Sequence, residues 1–295
     1  MRHLAFGSCI ESGIDLGPLP LADKGSADVA LTFSPVSVLP VPLAERLHNY
    51  LAQGRNIQIY ALDKDLWLQV EDLIQFHFDW ERRVISCFAA PHASNILLRY
   101  WILQQALPVF LLLSNRVELL HAGAVFVDGF AVGFLAESGT GKSTIVEHFL
   151  SHGHALCTDE HLVLPRNGHG TVAPSIPYYR PYRNAEDLGV FVSDFSPALR
   201  PLRALYLLRA APPEDMVRIG ALYGSAAASV LFGHSLYNLA NRKVPVYRHV
   251  LQKRFEELSQ LSTSIPVRTL HVPRSLSRLT EVYECVCRDL EGVPQ

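Results

Sequence analysis

Phe130-Ala131-Val132-Gly133-Phe134-Leu135-Ala136-Glu137-Ser138-Gly139-Thr140-Gly141-Lys142-Ser143-Thr144 is the stretch that decides the fold. Its first six residues read as a buried strand. Ala136 to Ser143 then follow the phosphate-loop pattern G-x-x-x-x-G-K-[ST], with Ala136 standing in for the first glycine. Gly139 and Gly141 let the backbone curl so that successive N–H groups converge on phosphate oxygens. A helix from Lys142 to His152, stopped at Gly153, aims its positive end at the same anion. Lys142 is expected to reach the β- and γ-phosphates, and Ser143 to ligate Mg²⁺. Glu137, Ser138, Gly139, Thr140, Gly141, Lys142, Ser143 and Thr144 are therefore the candidate nucleotide-binding residues. The bland alternative is a glycine-rich turn before an ordinary helix. Strand context upstream and helix context downstream weigh against it.

Working outward, Glu118 to Val127, the turn Asp128-Gly129 and the strand from Phe130 read as a β-hairpin. His121 sits on its first strand among apolar neighbours, where a histidine by itself reads as core. On the other side, a strand over Ala155 to Leu164 carries Asp159 and Glu160, seventeen and eighteen positions after Lys142. One helix and a returning strand fill that gap, which brings the acidic pair beside the phosphates at a strand's carboxyl end. A carboxylate there can accept the proton of an attacking hydroxyl or hold the metal. Further along, a strand is expected over Arg203 to Arg209 and helices near 219–241 and 247–262. Another strand covers Pro266 to Val272, followed by a closing helix capped by Ser275.

The chain has 295 residues, 49% hydrophobic and 18% charged, enough for a folded protein of about two domains. A net charge of −2 gives no basis for a nucleic-acid or membrane partner. The five cysteines show no disulfide framework or zinc spacing, so reduced, mostly buried thiols in a cytoplasmic protein are expected. Met1-Arg2-His3-Leu4 does not open an apolar run, and no signal peptide is expected. Ile96 to Ser114 is the most apolar stretch. Arg99, Gln104, Gln105 and Pro108 interrupt it, so a buried helix is expected there.

Pro- and Gly-punctuated extended segments make residues 1–92 a small β-rich unit. Residues 93–116 read as a linking helix, and 117–295 as an α/β domain built on the phosphate loop.

Leu120-His121-Ala122, then E-S-G-T-G-K-S-T, Gly153-His154 and Asp159-Glu160 together resemble the HPr kinase/phosphorylase family over about residues 117–165. That family's core reads roughly His…G-x-S-G-x-G-K-S…G-H-x-L-x-x-D-D. The resemblance implies an α/β kinase fold related to phosphoenolpyruvate carboxykinase, with ATP as substrate and Mg²⁺ as cofactor. It assigns Asp159 as catalytic acid/base, His121 as an active-site histidine, Lys142 to the phosphates, and Ser143 and Glu160 to the metal. Glu160 replaces the family's second aspartate, and a stretch like M-L-E-I-R-G-L-G is absent. The chain is more similar to divergent HPr-kinase-like proteins of bacteria, some associated with ribosomally made peptides such as lasso peptides. This implies transfer to a serine on a peptide or protein, with a precursor peptide as one form of it, and leaves room for a homo-oligomer.

Two other readings stand beside this one. Small-molecule kinases of the shikimate or gluconate kind also place acidic residues soon after the loop. A nucleotide-binding scaffold or sensor would bind ATP without transfer. Arg180 and Arg183, in a Pro- and Tyr-rich loop, could neutralise a transferred phosphoryl group. A surface loop with aromatic packing is the reading preferred for them. His152, His154, His161 and His169 match no usual zinc spacing.

Overall fold

The computed structural model describes residues 1–23, 25–36, 45–62, 65–137, 139–166, 168, 170–182, 184–236 and 245–293. Ser138, His169, Arg183 and the end of the helix expected to reach 241 lie outside the described residues. The chain is a mixed α/β protein with several sheets, divided into two compact units.

The first unit holds Met1–Arg116 and Tyr182–Leu188, together with residues 245–250 among those described further along the chain. Its strands are β1 (Arg2–Ala5), β2 (Ser8–Ser12), β3 (Val29–Pro35), β4 (Glu45–Ala52), β5 (Arg55–Leu62), β6 (Asp65–Val70), β7 (Ile74–Asp79) and β8 (Val84–Ala89). They form one sheet in the order β1-β2-β3-β8-β7-β6-β5-β4. Strict alternation selects its inner face: Ile57 and Ile59, Leu66 and Leu68, and Phe76 and Phe78 are all buried.

Against this sheet pack α1 (Asn95–Trp101) and α2 (Leu107–Leu113), joined by a π-helical turn over Ile102–Ala106. Ser94 caps the start by accepting the Leu97 N–H at 3.4 Å. Pro108 falls in the first turn of α2, where its missing N–H is tolerated. The run Asn95–Leu113 is long and apolar enough to cross a membrane by length and composition alone, and 78% of its most apolar window is buried inside the protein, in keeping with the buried helix expected there. Phe110 stacks on Trp80 at 4.9 Å and meets Phe78 edge-on at 5.9 Å. The helix expected as a link is thus core of the first unit.

The second unit opens with β9 (Val117–Val127) and β10 (Phe130–Leu135). Asp128 and Gly129 both have positive φ, 51° and 82°, as a tight two-residue hairpin turn requires. After α3 (Lys142–Ser151) come β11 (Ala155–Thr158), β12 (His161–Pro165), β13 (Thr171–Val172), β14 (Tyr178–Tyr179) and β15 (Val190–Phe191). The chain continues through β16 (Arg200–Ala211), β17 (Arg218–Leu222), α4 (Gly224–Gly233), α5 (Pro245–Ser264), β18 (Val267–Pro273) and α6 (Leu279–Glu291). The main sheet runs β11-β9-β10-β16-β18-β17, with β12 continuing along β9. Strands β10, β16 and β18 are parallel neighbours, and β9, β11 and β17 pair antiparallel.

Alternation gives this sheet two buried faces. Val132, Phe134, Tyr206 and Leu208 meet Ile145 and Phe149 of α3 and Val286 of α6. Leu120, Leu135, Leu205 and Leu207 meet Leu231 of α4 and Leu258 of α5.

Two expectations are corrected here. Residues 218–222 form an edge strand on β18 and not the start of a helix, because pairing with β18 overrides local propensity. Ser275 makes no side-chain cap; it precedes a short 3₁₀ turn over Leu276–Arg278, and α6 begins after that.

Candidate functional site

The loop between β10 and α3 leaves the carboxyl end of a central parallel strand, the usual ligand end of an open α/β sheet. Gly139 and Gly141 have φ of 83° and 99°, a region that a side chain would strain. Thr140 N–H donates to the Glu137 carbonyl at 3.2 Å, and Ile145 N–H to the Gly141 carbonyl at 3.0 Å, so α3 starts directly on the loop. Glu137 is exposed, while Thr140, Ser143 and Thr144 are half-buried.

Lys142, the first residue of α3, is only 3% exposed. Its Nζ lies 2.7 Å from His121 Nε2 on β9. A nearby glycine permits this approach. A Cβ at Gly123 of β9 would sit 2.7 Å from Val146 Cγ2 and 3.1 Å from Lys142 Cγ, so only glycine lets α3 lie this close to the strand.

Strand β11 runs in the same direction as β10, since each is antiparallel to β9. The acidic pair after β11 therefore emerges on the same side as the glycine loop. Thr158 Oγ1 accepts the N–H groups of Glu160 at 3.3 Å and His161 at 3.1 Å, and it pairs with Ser175 at 2.7 Å. This hydroxyl-centred turn fixes the backbone that carries both carboxylates.

Asp159, 8% exposed, accepts hydrogen bonds at Oδ2 from Ser143 Oγ at 3.3 Å and from the Arg180 backbone N–H at 2.8 Å. Its Oδ1 is buried with no hydrogen-bond partner among the described residues. Glu160 meets Arg180 Nη1 at 3.5 Å, and its carbonyl accepts the Ala122 N–H at 3.2 Å. Burial pushes the Glu160 carboxyl up, but His161, His121, Arg180 and Lys142 outweigh that and leave it below its ordinary value. Burial drives the His161 imidazole down to about 4, against the pull of Glu160 and with the help of Lys142 and Arg180.

Thus Lys142 stands with His121, and Ser143 with Asp159, all at the start of α3. Glu160 faces Arg180, and the metal candidate Ser143 is bonded to Asp159 and not to Glu160. Arg180 is 7% exposed, which corrects the preferred reading of a surface loop. Its signal was weak because a proline-rich loop gives no periodicity from which burial can be read. Of the cysteines, only Cys87 and Cys157 are buried; Cys9, Cys285 and Cys287 are half-buried.

Ser143 Oγ and the Glu160 carboxylate offer the oxygens that a hard divalent cation takes, and Asp159 Oδ1 stands buried beside them without a partner among the described residues. A Cβ at Gly139 or Gly141 would meet nothing within 4 Å, so the loop faces open space. No cluster of three or more His, Cys, Asp or Glu side chains forms a metal cage among the described residues. Magnesium, which keeps several waters and binds substrate phosphates, does not require one.

No model of a known protein family matches this chain, and no curated protein does. Among solved structures, the chain is similar to the Hpr(Ser) kinase/phosphatase from Coxiella burnetii. The likeness has 15% identity and a TM-score of 0.33, over 59% of this chain and 93% of that one. It is a weak resemblance at the level of fold.

Proposed function

We propose that the second unit binds Mg-ATP and transfers the γ-phosphoryl group to a serine-type hydroxyl of a peptide or protein. The observation that carries this reading is the position of Asp159. Its carboxylate is held by Ser143 Oγ at 3.3 Å, one residue past the lysine that begins α3. This supports a reading in which a general base and a phosphate-binding helix terminus act at one site.

Lys142 and the loop N–H groups bind the phosphates, exchanging the buried Lys142–His121 contact for a charge-assisted one. Ser143 and Glu160 would hold magnesium, which when bound neutralises charge on the phosphate oxygens. Asp159 accepts the proton of the acceptor hydroxyl as its oxygen bonds to the γ-phosphorus. The bond from that phosphorus to the bridging oxygen breaks, and ADP leaves with the electron pair. Arg180 donates its backbone N–H to Asp159 and its guanidinium to Glu160, so one residue orients both carboxylates.

A serine hydroxyl is a poor nucleophile at neutral pH, so a carboxylate beside the γ-phosphate answers its need. The preference for a peptide rests on the motif resemblance. The test offers Mg-ATP with candidate precursor peptides and a panel of hydroxyl metabolites, and reads phosphate by mass spectrometry. Phosphoserine on peptide is the expected product. Efficient phosphorylation of a metabolite with peptides untouched would replace this reading with a small-molecule kinase. Binding without any labelled acceptor would favour a sensor.

A further inference from the structure

The carboxyl ends of the central strands carry more cationic chemistry than the loop itself. Leu135 pairs with Ala122 across the hairpin and with Leu207 across the parallel pair. There β10 ends and the chain enters the loop, while β16 continues, with Arg209 two residues further on, at the same end of the sheet. Arg209 is exposed. It belongs to the same face as Leu205 and Leu207, the face covered by α4. At the end of α4, the His234 carbonyl accepts the His121 N–H at 2.7 Å. This places a half-buried histidine next to the residue that contacts Lys142.

We propose that Arg209 and His234 form a second cationic wall of the nucleotide site, binding the phosphate chain on the side opposite the α3 terminus, with His234 gaining a proton as the anion arrives. The proposal rests on the nucleotide-binding reading of the glycine loop. Its physical basis is charge. In the free protein His234 is held below its ordinary value by burial and by Lys142 and Arg209, against the pull of Glu137. Those are the charged groups that bear on it from α3, β16 and the loop, and His121 adjoins it from β9. A polyphosphate set among these cations adds negative charge that favours the imidazolium, so binding takes up a proton.

The test is calorimetry of the full chain with Mg-ATP at pH 6 and pH 8, each in two buffers of different ionisation enthalpy. The variants are Arg209→Ala and His234→Gln, with Lys142→Ala as reference. The wild type should bind more tightly at pH 6 and take up protons. Arg209→Ala should lose about tenfold in affinity at both pH values, the scale of one charge-assisted contact. His234→Gln should abolish the proton uptake and flatten the pH dependence, with its thermal transition retained. Wild-type binding that depends on Lys142 but is unchanged in both other variants overturns this inference alone. A wild type that binds no nucleotide overturns it together with the functional reading.

Discussion

Lys142 Nζ and His121 Nε2 are 2.7 Å apart, and that contact ties the first residue of α3 to the middle of β9. An ammonium taken out of water must have a partner, and the imidazole supplies one in the free protein. A phosphate oxygen is the stronger partner, because it brings a full opposite charge.

Lys142→Ala is therefore expected to weaken Mg-ATP binding by about 1.5–3 kcal/mol, the loss of a charged contact. The fold should persist, since α3 keeps Ile145, Val146 and Phe149 in the core. Calorimetry paired with a thermal melt checks both halves. Unchanged affinity would remove the loop from the nucleotide site.

Gly123→Ala tests whether the close approach of α3 to β9 matters. The added methyl would press on Val146 Cγ2 and Lys142 Cγ at 2.7 and 3.1 Å. Overpacking of this kind costs about 1–3 kcal/mol, and here it should also disturb the Lys142–His121 contact. A lower melting temperature together with weaker nucleotide binding is expected. Normal values for both would mean the helix is not held where the structure puts it.

His161 supplies a pH prediction. Its folded value of about 4 lies below the ordinary 6.5, so the unfolded chain binds the proton first. Stability is therefore intact above pH 6.5 and is lost as pH falls toward 4, by about 3 kcal/mol in all. His161→Gln should flatten that acid limb in urea melts run from pH 7.5 to 4.5. His3, His148 and His154 are also held low, burial being the largest cause for each, and leave a residual slope of the same sign. An unaltered limb in the variant would contradict the burial argument.

The hairpin with its Asp-Gly turn, the strand-to-helix passage at the glycine loop and the return to Asp159 were legible because each rests on local chemistry. Turn residues, glycines and a short helix are written consecutively in the chain. Arg180 was weighed but read as surface loop, and Arg209 and His234 were not picked out, because only tertiary pairing fixes where they lie. Arg180 arrives through a proline-rich loop that bonds Asp159 by its backbone. His234 arrives at the end of a helix whose apolar face belongs to the sheet. The edge strand at 218–222 was hidden for a similar reason: only its pairing with β18 makes it a strand.

Asp159 carries the proposed transfer step. Asp159→Asn keeps the shape and the hydrogen bonds that Oδ2 accepts from Ser143 and Arg180, but it cannot take a proton. In a side-by-side measurement of Mg-ATP affinity and phosphate transfer to peptide, the variant should bind as the wild type does. Its transfer should fall by roughly 10²–10⁴-fold, the range for a lost general base. Transfer at the wild-type rate, or a loss of ATP affinity large enough to account for the whole defect, would contradict the role assigned to Asp159.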